Sequence, residues 1–237
     1  MPNLQITAHL SSPFFAYDDW SPAIDALLEY IWLDERGLIS PNPSPKDLII
    51  AELPIEKGDL GGEWYWKVSA PCYQISAETQ DRFRKRWDYQ ETSLNWGKRK
   101  PKWTTSEGSE KSYDLPVFLR HTERIDWFAV GEPDEVLSLL QQCSGIGKKR
   151  SYGYGQVSQW EVKTIAEDWH LWREEQLMRP IPTERIMDAG RGCPQGLFIL
   201  RWAWRPPGWL HSNRVLCFMP TGTVIREEEL DQAGLDA

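Results

Sequence analysis

The feature that most constrains the fold of this 237-residue chain is the order in which strand and helix patterns follow one another. Apolar residues occupy every second position from Leu4 to Leu10, which is the period of a half-buried strand. A helical pattern follows, with Ser21 as the predicted N-cap, Pro22 as the first helical residue and Gly37 as the stop. The chain is therefore predicted to begin with a β-α unit.

The middle of the chain repeats this unit with an additional strand. LPVFLRH from residue 115 and IDWFAVG from residue 125 are predicted to form a hairpin of two buried strands. A helix is predicted to begin at Pro133 and end before Gly145, and a strand is predicted over 157–165. The order β-α-β-β-α-β predicts an α+β fold of the ferredoxin-like (RRM-like) class, with both helices on one sheet face.

Several segments lie outside this core pattern. Residues 48–55 and 64–70 are predicted to be extended pieces in the long connection after the first helix, and 81–112 is predicted to be an inserted basic arm. The last third holds a possible helix near 167–178 and two strands over 197–204 and 214–219. We predict a domain over 1–165, which includes the arm, and a C-terminal extension over 166–237 packed on it.

The distribution of charge sets the middle of the chain apart. The net charge is −8, yet residues 81–155 carry 14 Lys and Arg against 11 Asp and Glu, whereas residues 1–80 carry 4 against 12. Two basic knots within the arm, RFRKRW at 82–87 and GKRKPKW at 97–103, alternate cations with tryptophan. This composition is suited to phosphate contacts and base stacking, although a solvated basic surface has the same composition.

A third basic segment is the glycine loop, SGIGKKRSYGYG, which we define as residues 144–155. Its glycines do not match a dinucleotide fingerprint, because Arg150 stands at the third glycine position, and Gln142 stands where a Walker A motif needs its first glycine. Both motifs also require a helix after the loop, whereas this loop follows a predicted helix. Mononucleotide binding by these routes is therefore disfavoured.

Two interpretations of the glycine loop remain. Its glycines, cations and tyrosines are the parts of an RNA backbone clamp, in which N–H groups and cations meet phosphates and rings stack on bases. Alternatively, the loop is a solvated turn in which Gly145 caps a helix and Gly153 and Gly155 lead into a strand edge. Composition alone does not separate the two.

The run from Ser109 through VFLRHTERIDWFAVGEPDEVLSLL to GIGKKRSYGYGQVSQWEV resembles the RAMP superfamily of CRISPR-associated proteins, in which such a loop lies between the second helix and the last strand. IDALLEY at 24–30, LPI at 53–55 and WYWKVSA at 64–70 are also similar. Within the superfamily the chain is most similar to the type IV effector subunit that caps the 5′ end of the guide RNA, a Cas-five-like family. The similarity covers about the first two-thirds of the chain.

This resemblance implies a non-catalytic subunit of a type IV CRISPR ribonucleoprotein that grips the 5′ handle of the guide RNA (crRNA). The implied partners are the crRNA, target DNA near its flanking motif, the repeated backbone subunit, a large or small effector subunit and a helicase recruited to the complex. The expected RNA-binding residues are Gly145, Gly147, Lys148, Lys149, Arg150, Ser151, Tyr152, Gly153, Tyr154 and Gly155 in the loop and Arg82, Arg84, Lys85, Arg86, Trp87, Lys98, Arg99, Lys100, Lys102 and Trp103 in the arm.

The alternative function is a metal-independent endoribonuclease that processes CRISPR precursor RNA, since some RAMP proteins use a histidine or tyrosine as acid or base. His9 and His121 are the histidines with predicted positions near RNA. We expect no metal, because no His, Asp, Glu or Cys cluster has ligand spacing. We also expect no cofactor and no enzymatic activity, because a lone histidine is far more often structural and the resemblance implies a non-catalytic subunit. Four dispersed cysteines and the absence of a signal or membrane-spanning pattern predict a cytoplasmic protein, and the resemblance to CRISPR-associated proteins implies a prokaryotic one.

Overall fold

The structure is a computed structural model that describes residues 1–40, 43–44, 48–85, 112–190 and 198–226. It has a mixed α/β architecture with mostly antiparallel strands. The arm residues 86–111 lie outside the described residues. No helix in the described part of the chain has the length and apolar character that a membrane crossing needs.

The central sheet contains three antiparallel strands. β1 (Asn3–Leu10) lies between β8 (Arg124–Val130) and β9 (Val157–Ile165), and Ile6 pairs with Trp127 on one side and Val162 on the other. Ile6 and Trp127 have no exposed surface, because α1 (Ile24–Glu35) and α2 (Pro133–Leu140) complete the core beside the sheet. The predicted first strand, second helix and last strand are confirmed.

The first helix begins later than predicted. Ala23 is extended, with φ −77° and ψ 127°, so it, rather than Ser21, is the N-cap and the helix begins at Ile24. A tertiary contact accounts for the difference, because the Trp127 indole donates a hydrogen bond of 3.0 Å to the Pro22 carbonyl and holds that residue outside the helix. Gly37 has φ +63° and terminates the helix, as predicted.

The predicted hairpin of two buried strands after residue 115 is wrong. β7 (Tyr113–His121) pairs with β2 (Phe14–Phe15) and with β6 (Ala77–Lys85) in a second sheet, and no pairing joins β7 to β8 in the described residues. Burial explains the separation, since Ile125 and Trp127 of β8 are fully buried in the central sheet whereas Leu115 and Phe118 of β7 are half exposed.

The outer edge of β8 is therefore bordered by irregular backbone. Isolated bridges join Ile55 to Gly131, Val68 to Ala129 and Cys72 to Asp126 along this edge. Between these contacts, β3 (Lys57–Leu60) and β4 (Glu63–Trp66) form a hairpin, and β5 (Tyr73–Ile75) follows. β4 overlaps the predicted extended piece over 64–70, whereas β3 lies between the two predicted pieces. A complete ferredoxin-like sheet is not confirmed by these strands.

The C-terminal part is built from short strands. β10 (Trp172–Arg173) and β11 (Gln176–Leu177) form a tight hairpin where a helix was predicted; that prediction is wrong, because Glu174 at the turn has φ +53°, outside the helical region. β12 (Ile181–Pro182), β14 (Arg214–Phe218) and β13 (Ile199–Ala203) form a sheet in that order, which confirms the two predicted strands.

Two connections attach this C-terminal part to the rest of the molecule. β15 (Val224–Arg226) runs parallel to β5 and pairs with it. The Trp20 indole donates a hydrogen bond of 2.9 Å to the Pro220 carbonyl, and Trp20, Tyr65 and Trp204 share a second hydrophobic core with the C-terminal strands. These contacts join the C-terminal part to the rest of the molecule. The division of the chain into a domain over 1–165 and an extension over 166–237 remains a prediction.

Candidate nucleic-acid interface

The glycine loop is a folded segment between α2 and β9. The Ile146 N–H donates to the Gly155 carbonyl at 2.8 Å, and the Lys148 N–H donates to the Phe15 carbonyl at 3.1 Å. The Gly155 N–H donates to the Pro13 carbonyl at 2.8 Å, and Arg150–Tyr152 form one short 3-10 turn. These N–H groups are bonded within the protein, so any binding of RNA through them would require the loop to change conformation.

Two of the loop glycines are required by close packing. A Cβ atom on Gly155 would lie 2.1 Å from the Ile146 carbonyl oxygen, and one on Gly147 would lie 2.8 Å from the Phe15 carbonyl oxygen. Both residues also have positive φ, at +65° and +75°. Gly153 differs, because its φ is +85° but no atom lies within 4 Å of the place of a Cβ atom. Gly145 has an ordinary φ and bridges to Gln156.

The loop packs on the base of the inserted arm. We call the β6 and β7 pair the arm ribbon. Its two strands run antiparallel, from Ala77 opposite His121 to Lys85 opposite Tyr113. Phe83 of the ribbon lies 7% exposed beneath the loop, and the ring of Tyr152 meets it edge-on with centroids 4.6 Å apart. The two segments that the sequence predicts to bind RNA are therefore in contact.

The loop cations lie over aromatic rings. Lys148 Nζ is 3.8 Å from the ring centroid of Tyr17, and Lys149 Nζ is 3.7 Å from that of Phe83. Arg150 Nη1 donates to the Gly145 carbonyl at 3.2 Å. Among the described residues no carboxylate lies within ion-pair distance of these three cations, so their positive charge is not neutralised locally.

The arm ribbon contributes cations of a different kind. Arg82 Nη1 lies 2.8 Å and Arg84 Nε lies 3.3 Å from the same Asp114 carboxylate oxygen, and both arginines are more than half exposed. Lys85 is half-buried at the end of β6. The other predicted arm residues lie outside the described residues: Arg86, Trp87, Lys98, Arg99, Lys100, Lys102 and Trp103.

The two loop tyrosines have different roles. Tyr152 is 58% exposed and offers part of its ring to solvent, as a stacking residue must. The Tyr154 hydroxyl instead donates to Asp81 at 2.5 Å, and this hydrogen bond raises the pKa of Tyr154 and lowers the pKa of Asp81. Tyr154 therefore fastens the loop to the arm ribbon.

An open cleft of about 480 Å³ lies beside the loop. Arg150, Ser151 and Tyr154 line it from the loop, and Ser11 and Gln156 line it from the adjoining strands. The described lining contains no carboxylate. The cleft is therefore polar, with positive charge from Arg150, and is open enough for a nucleotide-sized group.

Sequence reasoning missed the aromatic residues beneath the cations. Tyr17 lies between β1 and α1, Tyr30 lies within α1, and the sequence identifies Phe83 only as part of the basic knot at 82–87. Arg150 lies 5.5 Å from the Tyr30 ring centroid. The run SPFFAYDDW after β1 was the available signal for Tyr17. Aromatic residues in a loop at the end of a sheet can contact a second loop that packs at the same end.

The histidines have structural partners. His9 Nε2 lies 3.8 Å from Glu161, and His121 Nε2 lies 2.9 Å from the Thr79 hydroxyl. His170 is buried between Asp168 and the Tyr65 hydroxyl, and burial lowers its pKa although Asp168 opposes this effect. Within the described ranges, no three His, Cys, Asp or Glu side chains are grouped as metal ligands.

Comparison with family models identifies a family for most of the chain. Residues 2–220 match the model of a family described as "CRISPR type IV associated protein Csf3". No curated protein matches the chain.

Proposed function

The chain belongs to the Csf3 family of CRISPR type IV associated proteins, a Cas5-like family, and from this premise we propose that it binds the guide RNA of a type IV complex. Family membership supports a role in such a complex. In the proposal the protein grips the crRNA 5′ handle without cutting it and contacts the repeated backbone subunit and the target region beside the flanking motif. It works in the prokaryotic cytoplasm.

The observation that carries this proposal is the contact between the glycine loop and the arm ribbon. Lys148, Lys149 and Tyr152 lie on the loop side of this contact with Arg150, and Phe83 lies on the ribbon side. Arg82 and Arg84 belong to the opposite face of the ribbon, because alternate residues of a strand share a face. We define Lys148, Lys149, Arg150 and Tyr152 as the loop surface. Cations beside an exposed ring match the combination that binds single-stranded nucleic acid.

The aromatic rings beneath the lysines favour phosphate binding over a merely solvated surface. A ring attracts an ammonium group but does not neutralise it, whereas a carboxylate would. Lys148 and Lys149 are therefore positioned by Tyr17 and Phe83 and retain their charge for a ligand. Because many loop N–H groups are already bonded within the protein, side chains supply the proposed RNA contacts.

The proposal also covers the fold. We infer a ferredoxin-like ancestry for the β8-β1-β9 sheet with its two helices, because its three strands occur in the order expected for that fold. The irregular segment at 55–72 borders the sheet edge where the remaining strand would lie. β7, which was predicted to occupy that place, belongs to the arm ribbon instead.

The principal experiment replaces Lys148, Lys149 and Arg150 together by alanine and measures guide RNA binding in the assembled complex. Three lost phosphate contacts reduce the slope of log affinity against log salt by about 2, and affinity near physiological salt falls roughly 50-fold. A slope and an affinity equal to those of the natural protein would contradict the proposal.

A matched control is available elsewhere on the surface. Arg36, Lys57 and Arg173 also lie over tryptophan rings, at 4.0 Å from Trp32, 4.8 Å from Trp66 and 4.5 Å from Trp169. Their triple alanine variant removes the same formal charge from outside the loop surface. It is expected to retain the RNA affinity, so the comparison separates a local effect from a change in net charge.

The alternative, a metal-independent endoribonuclease, is tested separately. Purified protein is incubated with CRISPR repeat RNA in EDTA, and the RNA is analysed on a denaturing gel. We expect intact RNA, because His9 pairs with Glu161 and His170 is buried. Cleavage that is abolished by His9→Ala or His121→Ala would replace the non-catalytic proposal with the endoribonuclease function.

A further inference from the structure

The sheet in the C-terminal part exposes a face on which cations alternate with aliphatic side chains. Arg201 on β13 pairs with Leu216 on β14, and Ile199 and Arg214 lie two residues away on the same strands. Alternate residues of a strand share a face, so these four side chains lie together. All four are exposed, with Ile199 at 48% and Leu216 at 54%. We define them as the extension face.

The two arginines of the extension face are not neutralised. In the described ranges no carboxylate lies within ion-pair distance of Arg201 or Arg214, and Arg214 Nε donates only to the Gly208 carbonyl, at 2.8 Å. A cleft of about 420 Å³ adjoins the face and includes Arg201, Arg214 and Leu216 in its lining. The face therefore presents unpaired positive charge beside an apolar surface.

The same cleft contains two arginines that do have acidic partners. Arg205 Nη2 lies 2.8 Å from Glu63, and Arg185 Nη1 lies 3.7 Å from Asp188. Each of these two arginines has a carboxylate partner, whereas Arg201 and Arg214 have none among the described residues. A ligand that brings carboxylates to Arg201 and Arg214 would complete a pattern that this part of the molecule already uses.

The neighbours of these cations favour a protein over a nucleic acid. Bases stack on aromatic faces, but the aromatic residue in the cleft lining, Trp204, is only 5% exposed. The exposed apolar side chains of the face, Ile199 and Leu216, are aliphatic, and Phe218 across from Ile199 is half-buried. Arginine is enriched and lysine is depleted in protein interfaces, and the described lining of this cleft contains arginines and no lysine.

We propose that the extension face binds a protein segment of another subunit that carries Asp or Glu side chains among aliphatic residues. The acidic groups pair with Arg201 and Arg214, and the aliphatic groups cover Ile199 and Leu216. The inference rests on the role in a type IV complex, but it does not depend on the glycine loop binding RNA. It assigns the loop surface and the extension face to different ligands.

The first test places a photo-activated cross-linking amino acid at position 216 in the complex co-expressed from its own CRISPR locus. Mass spectrometry then identifies what is attached. A cross-link to a subunit peptide that contains Asp or Glu with aliphatic residues supports the proposal. A cross-link to RNA or DNA overturns it in favour of a nucleic acid ligand, and the absence of any cross-link overturns it as well.

The second test reverses both charges with Arg201→Glu and Arg214→Glu and measures, with purified subunits, the affinity for the subunit that was cross-linked. Affinity is expected to fall about tenfold or more, because repulsion replaces two ion pairs. Guide RNA binding is measured in parallel and stays unchanged. Equal loss in a control variant, Arg36→Glu, or unchanged subunit affinity overturns the proposal, whereas failure of the RNA-binding proposal leaves this measurement intact.

Discussion

Arg179 in the core and the two lysines of the glycine loop have opposite surroundings. The guanidinium of Arg179 is 3% exposed and donates to the carbonyls of Trp66, Val68 and Trp204. Lys148 and Lys149 donate to no carbonyl or carboxylate through their side chains in the described structure, and they lie over aromatic rings instead. Three backbone carbonyls accept hydrogen bonds from the buried Arg179, whereas the two loop lysines have no such acceptor among the described residues.

This difference separates structural from functional charge. Arg179 joins the backbone of β4 and residue 68 to that of residue 204, so it connects the N-terminal and C-terminal parts of the chain. Arg120 acts similarly, with 2.6 Å contacts to Asp19 and to the Tyr73 hydroxyl. Removing such a residue should cost stability, whereas removing a loop cation should cost ligand affinity alone.

The largest expected effect follows from Arg179→Met. Methionine fills much of the volume but removes the guanidinium donor of the Val68 and Trp204 carbonyl oxygens, whereas the Trp66 carbonyl keeps the Val68 N–H. We therefore expect the free energy of unfolding to fall by about 4 kcal/mol. Chemical denaturation followed by tryptophan fluorescence measures it. The matched variant Arg214→Met, at an exposed position, should change the free energy by less than about 0.5 kcal/mol. Similar losses in both variants would erase the distinction between buried and exposed cations.

An intermediate effect is expected within the glycine loop, which positions the exposed cations. Gly155→Ala places a Cβ atom 2.1 Å from a carbonyl oxygen at a φ of +65°, and it should destabilise the protein by about 3 kcal/mol. Gly153→Ala has a similar φ but open space, so it should cost only about 1 kcal/mol. Equal losses of stability in the two variants, measured by thermal or chemical denaturation, would show that close packing at Gly155 does not determine the loop conformation.

The smallest expected effect concerns the buried carboxyl group of Glu29, which lies near Asp25. Burial, aided by repulsion from Asp25, raises the pKa of Glu29 to about 7. Because this value exceeds that of an unfolded chain, the folded protein binds the proton more tightly. The resulting stabilisation is present below about pH 4.5 and is lost as the pH rises through 7.

The measurement is the free energy of unfolding between pH 5 and 8, where we expect a decrease of about 2 kcal/mol, less than the full shift implies because solvent screens part of the interaction. Glu29→Gln should make this decrease disappear. A decrease of the same size in the variant would assign the pH dependence to another group. Tyr152→Ala serves as a reference on the loop surface, since it should leave the pH profile unchanged.

Local patterns predicted the elements of the central sheet well. The alternation from Leu4 to Leu10, the helix after Pro133 and the strand over 157–165 are confirmed because each has one face buried in the same core. Pairing was less predictable. β7 and β8 are adjacent in sequence and both rich in apolar residues, yet they belong to different sheets, and nothing in either segment states which neighbour it will choose.

The candidate site was predicted in part. The glycine loop and the basic start of the arm were identified from composition, and the structure brings them into contact through Phe83 and Tyr152. The rings beneath the lysines were not identified, because Tyr17 and Phe83 are distant from residues 148–149 in sequence. The extension face was also missed, since β13 and β14 read only as apolar strands.

By itself, the sequence determined the local periodicities, the end of the first helix at Gly37, and the concentration of positive charge in residues 81–155. Only the tertiary structure decided which cations donate hydrogen bonds to buried carbonyls and which lie over aromatic rings at the surface. The reason is physical: a periodic pattern depends on neighbours a few residues away, whereas the partners of a charge are set by chain segments that meet only when the protein folds.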